Sequence, residues 1–175
     1  MCPSNDSRSR HGEPAHGPNA AVRRPRKLDR LIRTIQSAED RHARIQLLID
    51  VARRYHRVSE RIAAPPYPEE FKVPACESQA YVFPEPNDDG TLTFHFAVDN
   101  PQGVSAMAMA AILGDTLSGA PLEDVVTLTP DIVYDIFGRE LSMGKNMGLS
   151  GMVNLVTGFA KRYLDRPAGE GARAP

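Results

Sequence analysis

Two short runs of strand-forming residues, 79–83 and 91–98, lie side by side near the middle of the chain, and every other periodic segment reads as helix. In the second run Leu92, Phe94, Phe96 and Val98 alternate with Thr93, His95 and Ala97, the period-two pattern of a strand with one buried face and one polar or lightly covered face. Asn87, Asp88, Asp89 and Gly90 supply the turn between the runs. Upstream, Leu28, Leu31, Ile32 and Ile35 fall at the spacing of one helical face, and Ser37 with Asp40 resembles a capping arrangement ahead of a second helix. That second helix carries Ile45, Leu48, Ile49, Ala52 and Tyr55 on a core-facing stripe and stops before Pro65 and Pro66. Downstream, Asn100-Pro101 predicts a helix start with Val104, Met107, Ala108, Ala111 and Ile112 turned inward. Pro121 and Thr129-Pro130 open two short helices, the second closed by Gly138, and Leu149, Met152, Val153, Val156, Ala160 and Tyr163 mark a last one. A hairpin between helical flanks, without strand-helix-strand alternation, predicts an α+β layer fold: a small antiparallel sheet, an N-terminal helix pair and C-terminal helices.

The same reading assigns 28–164 to one domain and treats 1–27 and 165–175 as disordered tails, because neither end shows apolar periodicity. The first tail is basic: Arg8, Arg10, Arg23, Arg24, Arg26 and Lys27 stand against Asp6 and Glu13. A solvated tail accounts for this more simply than a docking arm. Across the chain the formal charge is only −1, which argues against nucleic acid as the partner, since phosphate neutralisation demands a domain-wide excess of Lys and Arg. The longest apolar run, Val104 to Leu113, is about half of a bilayer span, and no charged-then-apolar leader opens the chain. A cytoplasmic protein without membrane association is the expectation.

Most familiar chemistries lack their residues. "SMGKNMGLSG", Ser142 to Gly151, fails as a phosphate-binding loop because Arg139 and Asn146 occupy the positions that need Gly and Ser or Thr; it reads as a loop with Gly144 and Gly148 in unusual backbone angles and Lys145 projecting as a contact residue. Glu85, Asp88 and Asp89 fall in a turn and Glu123 with Asp124 in a first helical turn, so none of them needs an acid-base role. No Gly-x-Ser-x-Gly elbow is present. The two cysteines, Cys2 and Cys76, are far apart, and His11, His16, His42, His56 and His95 have no ligand spacing with either. No metal site and no disulfide framework are expected, and His95 reads as a strand-surface histidine.

Cys76 remains. It follows Val73-Pro74-Ala75 and precedes Glu77-Ser78 just ahead of a strand, a loop setting in which a rigid scaffold can present a reactive group. A thiol attacks only as thiolate, and neither Glu77 nor any neighbouring histidine assists that here. Spacing leaves an inert buried cysteine and a reactive one equally open.

The decapeptide "VPACESQAYV" resembles the cysteine loop of the SufE family of sulfur-acceptor proteins, close to Val-x-Gly-Cys-x-Ser-x-Val. The segments around it, "FAVDNPQG", "DTLSGAPLEDVVTL" and "LSMGKNMGLSGMVNLV", come in the family's order over 28 to about 164. The resemblance implies a fold shared with iron-sulfur scaffold proteins, and a role as sulfur acceptor and activator for a pyridoxal-phosphate cysteine desulfurase of SufS-like type. Cys76 matches the acceptor cysteine that would carry a persulfide and pass sulfur to an iron-sulfur scaffold. The carrier would not be an enzyme in its own right and would bind no cofactor, the pyridoxal phosphate belonging to its partner.

Ala75, Glu77 and Ser78 would support the loop, and Val73, Pro74 and Lys145 would face the partner. Ala75 stands in place of the family's usual glycine, and Lys145 in place of an arginine, keeping the charge without the bidentate fork. A cluster scaffold is disfavoured because only Cys76 lies in the domain. Three further readings are a desulfurase regulator that accepts no sulfur, a relay to transfer-RNA thiolation or a sulfur-containing cofactor, and an enzyme acting alone on a small sulfur compound.

Overall fold

The computed structural model describes residues 24–166. Six α-helices and two strands follow in the order α1 Arg26–Gln36, α2 Arg41–Ala52, β1 Ala80–Pro86, β2 Leu92–Val98, α3 Val104–Leu117, α4 Leu122–Val125, α5 Ile132–Phe137 and α6 Met143–Leu164, with a 3₁₀ turn at Glu69–Phe71. The expected α+β class holds: one antiparallel hairpin with helices before and after it in the chain. The tails expected at 1–27 and 165–175 fall mostly outside the described residues, although α1 already starts at Arg26.

The hairpin forms where the alternation places it. Pro86 pairs with Leu92 and Ala80 with Val98. Gly90, at φ +80°, closes the turn, with its N–H donating to Asn87 O at 3.1 Å. Asn87 also binds the hydroxyls of Thr91 and Thr93. Leu92, Phe94, Phe96 and Val98 are buried, and α3 packs with Gly114 facing the Phe94 carbonyl and the Phe96 ring. The second face is better covered than expected. Tyr81 and Phe83 pack with Tyr67 and Phe71, and Phe71 stacks at 5.8 Å on Phe159 of α6.

α3 is the central element. It is apolar nearly all round, as a helix enclosed by others must be, and α1, α2, β2 and α6 all pack on it. Its buried hydroxyl, Thr116 Oγ1, donates to Ile112 O at 2.6 Å.

Several expectations need correction. Asp40 alone caps α2, its carboxylate accepting from Ala43 N–H at 2.8 Å, while Ser37 closes α1. In α2 only Leu48 is buried; Ile45 is 44% exposed, because α2 lies over α3 with a groove left along one side. Tyr55 lies beyond α2, its hydroxyl accepting from Val98 N–H at 2.9 Å. α3 begins at Val104, not at Asn100, whose side chain instead accepts from Gln102 N–H and forms a turn; Val104 is therefore exposed. Glu85 belongs to β1 rather than to the turn.

The largest correction concerns 142–151. This stretch is the first two turns of α6, capped by Ser142 Oγ, which accepts from Lys145 N–H at 3.4 Å. Gly144 and Gly148 lie within helix without positive φ, and among the described residues the glycines with positive φ are Gly90, Gly119 and Gly138.

Candidate functional site

Three glycines of α6, Gly144, Gly148 and Gly151, recur at i, i+4 and i+7 and so share one face. What lies on that face is the cysteine loop. A Cβ on Gly151 would come within 2.9 Å of Val73 Cγ1 and 3.1 Å of Pro74 O; on Gly148, within 3.1 Å of Cys76 Cα and 3.3 Å of its Sγ. On Gly144 it would collide with Glu77 Oε1 and sit 3.0 Å from its Cδ. The loop thus runs antiparallel to α6, and a Cβ on this face would force it to shift at Gly148 and Gly151 and would displace the Glu77 carboxylate at Gly144. Glycine serves here for close approach rather than for backbone freedom.

The loop is held firmly at its two ends. Val73 is buried, and its N–H donates to Ala80 O at 2.8 Å. At the far end Gln79 O accepts from Asp99 N–H and Ser78 O from Asn100 N–H, both at 3.2 Å. That segment is braced in turn by Arg57, which donates to Val98 O at 3.0 Å and pairs with Asp99 at 2.7 Å. Among the described residues no backbone hydrogen bond joins 74–78 to α6, so packing and side-chain contacts set the position of Cys76.

Cys76 is a free thiol, half-buried, and it lines a cavity of about 350 Å³ with Ser78, Asn100, Ser105, Lys145 and Leu149. Lys145 is exposed at its rim and, among the described residues, is the only cationic side chain in the lining, which includes no histidine among them. The Ser78 hydroxyl lies against Gly103, where an added Cβ would come within 2.7 Å of it; no hydrogen bond among the described residues joins it to Cys76. Glu77 and Pro74 are exposed. Val73, for which a partner-facing place is implied by the resemblance, is instead core.

Sequence reasoning missed the exposed apolar side chains near the site: Val104, which lines the cavity, is 43% exposed, and Met143 and Met147, one position before Gly144 and Gly148 on α6, are 80% and 50% exposed. Their offset from the Leu149-Met152-Val156 stripe was the available signal. Exposed large apolar side chains on the helix that carries the thiol loop suit an interaction surface.

Ala75 adopts φ +53°, a left-handed conformation that costs a non-glycine residue about 1 kcal/mol or more. Ala75→Gly removes that cost but frees the unfolded chain, an effect of roughly 0.4–1 kcal/mol. The variant is expected to be equally stable or stabilised by up to about 1 kcal/mol in urea unfolding; a loss would mean the left-handed geometry is not kept in solution.

His95 takes no part in this site. Its Nε2 lies 2.8 Å from Glu85 Oε2 across the hairpin. That hydrogen bond first, and Arg61 in addition, hold the Glu85 carboxyl below its ordinary value of 4.5. A depressed carboxylate contributes stability above its unfolded pKa and loses it as pH falls through its folded one. The stability difference between the wild type and Glu85→Gln is therefore expected to be small, within the roughly 0.2–1 kcal/mol of exposed pairs, and to close as the pH falls below about 4.5, measured by urea unfolding at several pH values.

The family model described as "Fe-S metabolism associated domain", SufE, matches residues 29–160. The chain belongs to the SufE family. Membership associates it with iron-sulfur metabolism. Among curated relatives, the "Cysteine desulfuration protein SufE" of Plasmodium vivax is 30% identical over 101 residues, 57% of this chain and 42% of that protein. The "SufE-like protein 1, chloroplastic/mitochondrial" of Arabidopsis thaliana is 25% identical over 133 residues, 75% of this chain and 34% of that protein. This SufE-family chain thus matches less than half the length of either relative. A solution structure of a hypothetical protein from Thermus thermophilus shares the fold at TM-score 0.59 and 20% identity, covering 82% of this chain and 99% of that one.

Proposed function

We propose that this protein accepts sulfur from a pyridoxal-phosphate cysteine desulfurase as a persulfide on Cys76 and relays it to an iron-sulfur scaffold, raising the desulfurase's turnover by unloading it. The observation that carries this reading is the loop itself: one free thiol, anchored at both ends of its segment, laid on a glycine face and opening to a cavity with Lys145. The step is redox-neutral. The Cys76 thiolate attacks the terminal sulfur of the donor persulfide, a new S–S bond forms, the donor S–S bond breaks, and the donor cysteine leaves as thiolate while the proton on the transferred sulfur stays with it.

Lys145 at the cavity rim would favour the anionic sulfur species on either side of this exchange. The exposed Val104, Met143 and Met147 give the donor an apolar surface to dock on. The protein itself needs no cofactor for this exchange, and the cytoplasm is the compartment in which we place it.

The test is to add the protein to a cysteine desulfurase with free cysteine, follow sulfide release, and take the intact mass of the protein after alkylation. Faster release together with the mass gain of transferred sulfur supports the carrier. Faster release with no mass gain would identify a regulator that accepts no sulfur, which the same exposed apolar side chains would serve.

A further inference from the structure

Glu77 is the only charged side chain of the segment 74–78, and although the residue is exposed, its carboxylate lies against the first turn of α6, close enough that a methyl group on Gly144 would have to displace it. That turn is the positive end of a 22-residue helix, whose side-chain cap, Ser142 Oγ, makes only a long 3.4 Å bond. One residue earlier, Cys76 is pressed on Gly148 of the same helix. Nothing in the backbone hydrogen bonding ties this segment to α6, and residues of left-handed conformation, Ala75 at φ +53° and Gln79 at +47°, sit just before Cys76 and at the loop's exit. The loop's hold on the helix therefore depends on the glycine contacts and on this one carboxylate.

We propose that Glu77 is a positioning residue, a latch whose contact with the start of α6 sets how often Cys76 is presented to a sulfur donor. The residue is exposed, so a cationic side chain of the donor can compete for the carboxylate and release the loop as the partner docks. This inference rests on the carrier reading for its purpose, but not for its test.

The experiment is alkylation of Cys76 by iodoacetamide in the protein alone, followed against pH up to the plateau where the thiol is fully ionised, for the wild type, Glu77→Gln, Glu77→Asp and Gly144→Ala. Removing a negative charge beside a thiol also eases its ionisation, but that moves the midpoint of the profile down and, because a less basic thiolate is a weaker nucleophile, lowers the plateau instead of raising it. A latch sets the plateau. Glu77→Gln is expected to raise the plateau rate about two- to fivefold, the range of a carboxylate's interaction with a helix terminus at an exposed site. Glu77→Asp should fall between it and the wild type. Gly144→Ala, which improves helix propensity while evicting the carboxylate, should match Glu77→Gln. Equal plateaus for Glu77→Gln, Gly144→Ala and the wild type would overturn the latch. A raised plateau in a protein that takes up no sulfur from a desulfurase would leave the latch standing and remove the carrier reading instead.

Discussion

Cys76→Ser is expected to abolish stimulation of a cysteine desulfurase, returning sulfide release to the rate of the enzyme alone, while the unfolding midpoint in urea barely moves. Serine is nearly isosteric, and the side chain is half-buried at the edge of the core rather than within it, so a stability change below about 1 kcal/mol follows. Its hydroxyl is not ionised near neutrality and has no sulfur with which to hold a persulfide, so the exchange has no nucleophile. A serine variant that stimulated as well as the wild type would show that docking alone activates the enzyme.

Gly148→Leu is the second large effect. The new side chain needs the space that Cys76 Cα and Sγ fill at 3.1 and 3.3 Å from its first carbon, and the atom blocking it is backbone, which cannot rotate aside. Leucine gains about 1 kcal/mol of helix propensity, yet forcing it into a closed contact costs roughly 1–3 kcal/mol, so the two nearly offset or leave a modest net loss of stability. The local consequence is larger: the loop must leave α6. We expect Cys76 alkylation to speed up by tenfold or more, on the order of the 1.4 kcal/mol that a tenfold change represents, with the secondary structure unchanged by circular dichroism. An unchanged alkylation rate would mean the loop does not rest on Gly148 in solution.

The elements that sequence could reveal were those whose periodicity reports burial directly. Leu28, Ile32 and Ile35 are buried along α1, Leu92, Phe94 and Phe96 along β2, and Leu149, Met152 and Val156 along α6, each set at the spacing its element requires. Where burial comes from a neighbour rather than from the element's own pattern, the reading failed. The α2 stripe promised more core than it has, because α3, itself apolar all round, needs only part of each neighbour's face.

The start of α6 was misread for a related reason. Three glycines in eight residues look like a loop when each is taken for backbone freedom, and they are compatible with helix only if another segment must come very close. That segment, 73–77, is distant in sequence and has no period of its own. The thiol was legible as a candidate, and its family context made it specific. Its seat on Gly148, and the contact between Glu77 and Gly144, required the fold.

The central claim is that Cys76, and not Cys2, receives sulfur. Peptide mapping after incubation with a desulfurase and cysteine, with alkylation to preserve persulfides, tests it most directly, since the chain has only these two cysteines. The account predicts added sulfur on the peptide containing Cys76, dependent on the desulfurase. Sulfur found only on the Cys2 peptide, or on neither while the two proteins still bind, would contradict it.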